Sequence, residues 1–205
     1  FTCYTDPQLS WGQIAFDEGV LTFQPRYNIA PTQNIVTVTN DGNRRLELMR
    51  WGLIPSWAKD LKVRYRMINA VSETLASKPA FQTAFRKRRC LILADGFFEW
   101  RKVGKNKIPH YIFLKSGKPF AFAGLWETWQ SPLGWEIKSC TIVTTNANEL
   151  IKPIHHRMPA ILSLETAPLW IEPLTEDTEI LQELLLVRIL YIVPATPGFG
   201  LRILL

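Results

Sequence analysis

Three polar side chains in this sequence sit among apolar or turn-forming neighbours, and each could do chemistry. Glu99 lies in Ala94-Asp95-Gly96-Phe97-Phe98-Glu99-Trp100, directly after the apolar run Cys90-Leu91-Ile92-Leu93. A carboxylate wedged between aromatic rings is costly to bury charged, so its pKa is pushed upward. An acid/base carboxylate that works near neutral pH is made this way. An exposed Glu on a strand edge is the competing reading, and the stretch alone does not choose between them. Asn69 follows Met67-Ile68, where an amide can bind a backbone, a phosphate or a base edge, or simply cap a turn. His155 stands between Ile154 and His156-Arg157, shortly before Pro159, and so at a turn. A satisfied structural histidine is its competing reading, with His156 the more exposed of the two.

Charge is unevenly spread. The formal net charge is +6. Residues 59–107 hold thirteen Lys or Arg against four acids (Asp60, Glu73, Asp95, Glu99), a local balance of +9 that leaves the rest of the chain at −3. This asymmetry points to an anionic partner, nucleic acid being the commonest, against the alternative of a solvated basic face. Trp57 beside Lys59 would suit base stacking, with Lys59, Lys62, Arg64 and Arg66 on phosphates; a core tryptophan is the alternative. Cys3, Cys90 and Cys140 are scattered, cannot all pair within the chain and form no metal spacing, which fits a reducing, cytoplasmic setting without metal or cofactor. No apolar run approaches the roughly 18–20 residues of a membrane span, and no basic-then-apolar signal pattern opens the sequence.

The elements that must position these residues read as α+β. Asp6-Pro7 is an N-cap with Pro at the first helical position, predicting a helix to about Phe16, ended by Gly19. Residues 25–32 are extended because of Pro25 and Pro31. Strands are expected at Ile35–Thr39 and Leu46–Trp51 about an Asn40–Asn43 turn, and at His110–Leu114, Phe120–Trp126 and Ile137–Thr145. Ser77-Lys78-Pro79 is expected to start a helix ending at Arg86–Arg89. Another strand enters at Arg89, passes a tight turn or bulge at Asp95-Gly96 and leaves through Phe97–Arg101, with Phe97, Glu99 and Arg101 on one face. Ala147–Lys152 is a helical turn, and Ser163 and Thr175 are expected N-caps. Weak alternation in several strands suggests burial on both faces or closure, giving mainly antiparallel sheets in a barrel-like core with flanking helices. With 205 residues, 47% of them hydrophobic, and no visible linker, a single domain over 1–205 is expected.

An ordered series of short motifs runs through the chain: Arg26–Thr32, Trp51–Trp57, Asn69-Ala70, Ser72-Glu73-Thr74, Arg89-Cys90, Ala94–Trp100, Phe120–Trp126 and Ile154-His155 with Arg157-Met158-Pro159. Each is weak alone, but together, over residues 1–165, they resemble the SOS response associated peptidase (SRAP) family of abasic-site processing proteins. The resemblance implies an α+β, SRAP-like fold and an unusual reaction. Members lose their initiator Met autoproteolytically, a hydrolase activity, and expose an N-terminal cysteine. They bind single-stranded DNA and join that cysteine to the ring-opened aldehyde of an abasic site as a thiazolidine, with a lyase activity in addition. By the same resemblance Glu99 is the acid/base carboxylate near the terminal amine, and His155 assists sugar opening and proton transfer. Asn69 holds the cysteine and the abasic site, and Pro31, Trp57 and Thr144 line the DNA channel. A monomeric cytoplasmic protein is implied, on the nucleoid when bound to DNA.

The chain departs from the family pattern in three places. Members begin Met-Cys-Gly-Arg-Phe, whereas this sequence opens at the matching Phe1, so about four residues are expected ahead of it; Cys3 lacks the following Gly-Arg and is not assigned as the nucleophile. Val71 stands where an Arg usually contacts phosphate, shifting that load toward Arg64 and Arg66. Residues 186–205 do not read like the family's ending and receive no function. The alternatives are a single-strand binding module without chemistry, and a peptidase acting on other proteins.

Overall fold

The computed structural model describes residues 1–11, 23–114, 116–163 and 165–185. In chain order the described elements are α1 (Pro7–Ser10), β1 (Asn34–Asn40), β2 (Arg44–Trp51), β3 (Asn69–Val71), α2 (Gln82–Lys87), β4 (Arg89–Ala94), β5 (Gly96–Val103), β6 (Asn106–Phe113), β7 (Phe120–Gln130), β8 (Glu136–Asn146), β9 (Arg157–Pro159), β10 (Ile161–Leu162), α3 (Thr166–Trp170) and α4 (Thr178–Leu184). Short 3-10 turns at Leu61–Tyr65 and Ser72–Thr74 flank β3. Five strands close on themselves in the order β7, β4, β1, β2, β8 and back to β7, four of the contacts antiparallel and the β2–β8 contact parallel. The barrel-like α+β core expected from the sequence is present.

Strand β8 is the hub. It pairs with β7 along Glu136–Ile142 and with β2 at Ser139 and Cys140, then takes on β3 in parallel (Asn69 opposite Ile142) and β9 antiparallel (Thr144 opposite Pro159). Every residue of β4 is buried, because one face points into the barrel and the other lies under the helices. Trp170 of α3 seals that side, its indole N–H shared between the Cys90 and Gly124 carbonyls at 3.1 and 3.3 Å. Buried Arg89 donates to the carbonyls of Phe85 and Arg86 at the end of α2 and of Trp170 at the end of α3. A cation there complements the negative ends of both helices.

Asp95-Gly96 is not a turn within one sheet. The chain leaves the barrel there: β5 pairs with β6 in a separate two-stranded sheet, whose outer residues Trp100–Pro109 are all exposed. Alternation along a strand reports which face is buried but not which strand is the partner, and this is why the sequence pattern reads as a turn. Gly96 does not adopt a positive φ. It provides room: a Cβ at this position would lie 2.4 Å from the Tyr111 ring, whose hydroxyl bonds Thr2 Oγ1 at 2.7 Å.

Several local expectations shift. The helix expected from Ser77 begins at Gln82, after turns in which the Lys78 carbonyl accepts from Phe81 and Gln82; the residue before a proline resists helical geometry. Arg89 is a strand residue rather than a helix end. Asp177, not Thr175, caps α4, its carboxylate accepting from the Glu179 and Ile180 amides and so serving two free donors of the first turn. Asp6 caps α1 as expected, and the remainder of that expected helix, with Gly19, lies outside the described residues, as does 186–205. Gly96→Ala is expected to displace Tyr111 and cost about 1–3 kcal/mol, read as a lower urea midpoint at unchanged slope.

Candidate active site

Asn69, Glu99 and His155 line one open cavity of about 330 Å3. Its floor is aromatic. Phe1 packs edge-on against Trp51 and Phe122, with centroids 5.2 and 5.7 Å apart, and Phe97 packs on Phe122 at 5.9 Å. The Trp51 indole donates to the Ile68 carbonyl at 2.8 Å, so the floor is tied to the residue preceding Asn69.

Glu99 enters from the base of β5, half-buried between Phe98 and the pocket. Burial raises its pKa; the charge of His155 opposes this most, followed by a hydrogen bond from the Trp100 amide and the charge of His156. Cross-strand from it stands His110. His155 is held through Nδ1, which lies 3.1 Å from the Arg157 amide nitrogen and 2.9 Å from the Arg157 carbonyl. Nδ1 accepts from the amide in one tautomer and donates to the carbonyl in the other. In either it is engaged by the Arg157 backbone, and Nε2 is the ring nitrogen that this backbone does not hold. His155 also packs on His156 with centroids 4.5 Å apart, and His156 is the more exposed of the pair. The strand edge carries Asn69 into the cavity, since β3 pairs in register with β8.

The nucleic-acid candidates divide. Thr144 lies in the cavity wall, its hydroxyl donating to the Ala70 carbonyl at 3.5 Å. Trp57 is 62% exposed and therefore not a core residue. Pro31 and Arg66 are also exposed, and none of these three lines the cavity. The Arg64 side chain lies outside the described part of its turn. The loop after Pro31 nevertheless joins the site through Trp51, whose backbone exchanges hydrogen bonds with Thr32 and Gln33. Part of the basic segment is structural: Arg88 pairs with Glu127 at 2.7 Å, and Arg89 is spent on helix ends.

Arg157 is the residue sequence reasoning missed. Among the described lining residues it and His155 have the only side chains that can carry positive charge. Its guanidinium grips both carboxylate oxygens of Glu73, at 2.7 and 2.9 Å, from 84 positions away. Its signal was present in two of the motifs, Ser72-Glu73-Thr74 and Arg157-Met158-Pro159, but their pairing was not. The Cys3 thiol is buried and pushed up to about 12, by burial first and then by Asp95, so it is poorly suited to be a nucleophile. No group of three or more metal-ligating side chains forms among the described residues, and no helix among them is long and apolar enough to cross a membrane.

The model of the SOS response associated peptidase (SRAP) family matches residues 2–190. The chain belongs to the SRAP family. It is 52% identical over 165 residues to the abasic site processing protein YoqW of Bacillus subtilis, covering 80% of this chain and 74% of that protein. To the abasic site processing protein HMCES of Xenopus tropicalis it is 34% identical over 176 residues, covering 71% of this chain and 52% of that one. A Bacteroides thetaiotaomicron protein of known structure shares 34% identity at a TM-score of 0.70, over 75% of this chain and 68% of its own. A Bordetella bronchiseptica protein at 22% identity superposes with a TM-score of 0.77 over 96% of this chain and 98% of its own, and bears on the SRAP fold alone.

A carboxyl whose pKa is raised in the folded state binds its proton more tightly there than in the unfolded chain. The stability it contributes is present below the ordinary carboxylate range and is lost as pH rises through the folded value. Glu99 therefore costs this SRAP protein stability at neutral pH. Glu99→Gln is expected to raise the melting temperature at pH 7, with the gain vanishing near pH 4, as differential scanning calorimetry across that range would show.

Proposed function

We propose that this protein processes abasic sites in single-stranded DNA by covalent capture, through a cysteine amine and thiol carried ahead of Phe1. The convergence of Asn69, Glu99 and His155 on one cavity that has Phe1 in its wall carries this reading. A Cys-Gly-Arg segment before Phe1 spans about 10 Å at most, so a terminal cysteine stays within reach of all three side chains. The abasic-site activity named for the relatives agrees with it.

Each group has a chemical task. A terminal α-amine titrates near 7.7–8.0 and is partly neutral at cellular pH. Its lone pair attacks the C1′ aldehyde of the open sugar to give a carbinolamine. Glu99, whose pKa burial raises, protonates the departing hydroxyl so that water leaves and the imine forms. The thiolate then adds to the imine carbon and the nitrogen takes a proton, which closes the thiazolidine without net oxidation or reduction. His155 Nε2 moves protons during ring opening of the sugar, and the Asn69 carboxamide holds the reacting ends together. Removal of the initiator Met by the same groups supplies the free amine.

DNA enters this picture along the exposed surface by Pro31, Trp57 and Arg66, with Thr144 at the wall of the cavity. Trp57 offers a stacking face, and base–aromatic stacking is worth about 1–3 kcal/mol per base.

Protein carrying Met-Cys-Gly-Arg ahead of Phe1 is expected to form a denaturation-resistant conjugate with an abasic single-stranded oligonucleotide. Absence of the conjugate, or its persistence when that cysteine is replaced by alanine, overturns the proposal. Salt-sensitive binding that ignores the abasic site would instead identify a module without chemistry. Glu99→Gln should slow conjugation on the order of 100-fold or more while DNA affinity, measured by fluorescence anisotropy, changes little.

A further inference from the structure

Arg157 reaches the cavity with its hydrogen-bonding capacity nearly spent. Nη1 donates to Glu73 Oε1 at 2.7 Å and Asn146 Oδ1 at 2.9 Å; Nη2 donates to Glu73 Oε2 at 2.9 Å and the Thr144 carbonyl at 2.6 Å. Of the five guanidinium N–H groups only Nε–H has no partner, and it is buried. A planar fork satisfied on two edges has one orientation, unlike a lysine ammonium on the same stem. Glu73 is itself oriented by the Ser72 hydroxyl at 3.0 Å.

The peptide groups that hold His155 belong to this same arginine. Its amide and carbonyl flank Nδ1, and its backbone is paired to Asn146 in β8. The link from Glu73 to the imidazole is therefore continuous: carboxylate, guanidinium, the backbone of residue 157, Nδ1. It also has an electrostatic side. Glu73 cancels the charge of Arg157, which would otherwise oppose protonation of His155. The other titratable groups near the ring are Glu99 from β5 and adjacent His156, with His110 behind Glu99 on β6.

We infer that Glu73 is a positioning residue for His155. By clamping Arg157 it fixes the peptide that orients the imidazole and keeps the ring able to gain a proton, while touching neither DNA nor the reacting atoms. This role rests on the reactive part given to His155 above, but its first test does not. In an NMR titration of nitrogen-labelled imidazoles, with His155 assigned by comparison with His155→Ala, Glu73→Gln is expected to lower the His155 pKa by about half a unit or more. That is roughly a threefold loss of proton affinity, in the direction an uncompensated cation imposes. An unchanged His155 titration overturns the inference even if wild-type protein forms no conjugate, an outcome that would count against the proposed function alone.

The second test is kinetic. With saturating abasic oligonucleotide, Glu73→Gln is expected to slow conjugation roughly tenfold at unchanged DNA affinity. Glu73→Asp, which keeps the charge, should recover part of the rate, and Glu73→Gln should cost nothing further in a His155→Ala background. A loss confined to DNA affinity would make Arg157 a phosphate clamp regulated by Glu73, and an additive loss in the double variant would make Glu73 a general structural support. Either result overturns the positioning role.

Discussion

A single buried carboxylate ties the start of the chain to the place where the barrel ends. Asp95 is 3% exposed and accepts from the Tyr4 amide at 2.6 Å, the Thr5 amide at 3.0 Å and the Thr5 hydroxyl. Its own amide donates to Thr2, while the next carbonyl, that of Gly96, accepts from Thr2. Burying a charge is tolerable only when hydrogen bonds replace its water, and bonds to charged groups contribute about 1.5–3 kcal/mol each. Because Asp95 sits between β4 and β5, the same cluster sets two things at once. It places Phe1 in the cavity wall, and it sets the angle at which the strand bearing Glu99 leaves the barrel.

The division of labour follows from that junction. The barrel supplies an apolar floor from Phe122, Ile142 and Trp51, and the polar groups stand on pieces attached to its rim: β3 for Asn69, the root of β5 for Glu99, and the turn before β9 for His155. Two of these pieces are ordered by pairing with β8 rather than by the barrel's own closure. A carboxyl placed so has its pKa raised by desolvation while the cavity stays open to solvent. The exposure of Trp57 and the saturation of Arg157 belong to the same division, one side chain turned to solvent and the other spent inside the protein.

What could be read in the sequence was local or carried by ordered motifs. The hairpin of β1 and β2 was legible because Asn40-Asp41-Gly42-Asn43 encodes its own turn, with Gly42 at a φ of 109°. The three cavity residues stood out as polar groups in apolar settings. Long-range pairing was not legible. Nothing in Ala94–Trp100 says that Phe97 pairs with Ile112 rather than with β4, and Arg88 and Arg89 look like a solvated basic face until Glu127, Trp170 and Glu172 are brought beside them. The Glu73–Arg157 fork failed to register for the same reason: charge composition counts residues and is blind to which of them neutralise each other.

The parallel closure has a kinetic side. Arg50 and Trp51 meet Ser139 and Cys140, so the barrel shuts by joining segments about 90 positions apart, whereas the β5–β6 ribbon pairs neighbours. Non-local pairing pays its loop entropy before any contact rewards it and tends to form late. During synthesis, which runs from the N-terminus, β1, β2, β4 and the ribbon emerge well before β8, and His155 emerges later still. The growing chain thus carries the carboxylate of Glu99 for some fifty residues of elongation before the imidazole of His155 can join it in the cavity. The cavity is complete only after β8 has slotted between β2 and β7 and β9, with the turn that carries His155, has itself paired with β8.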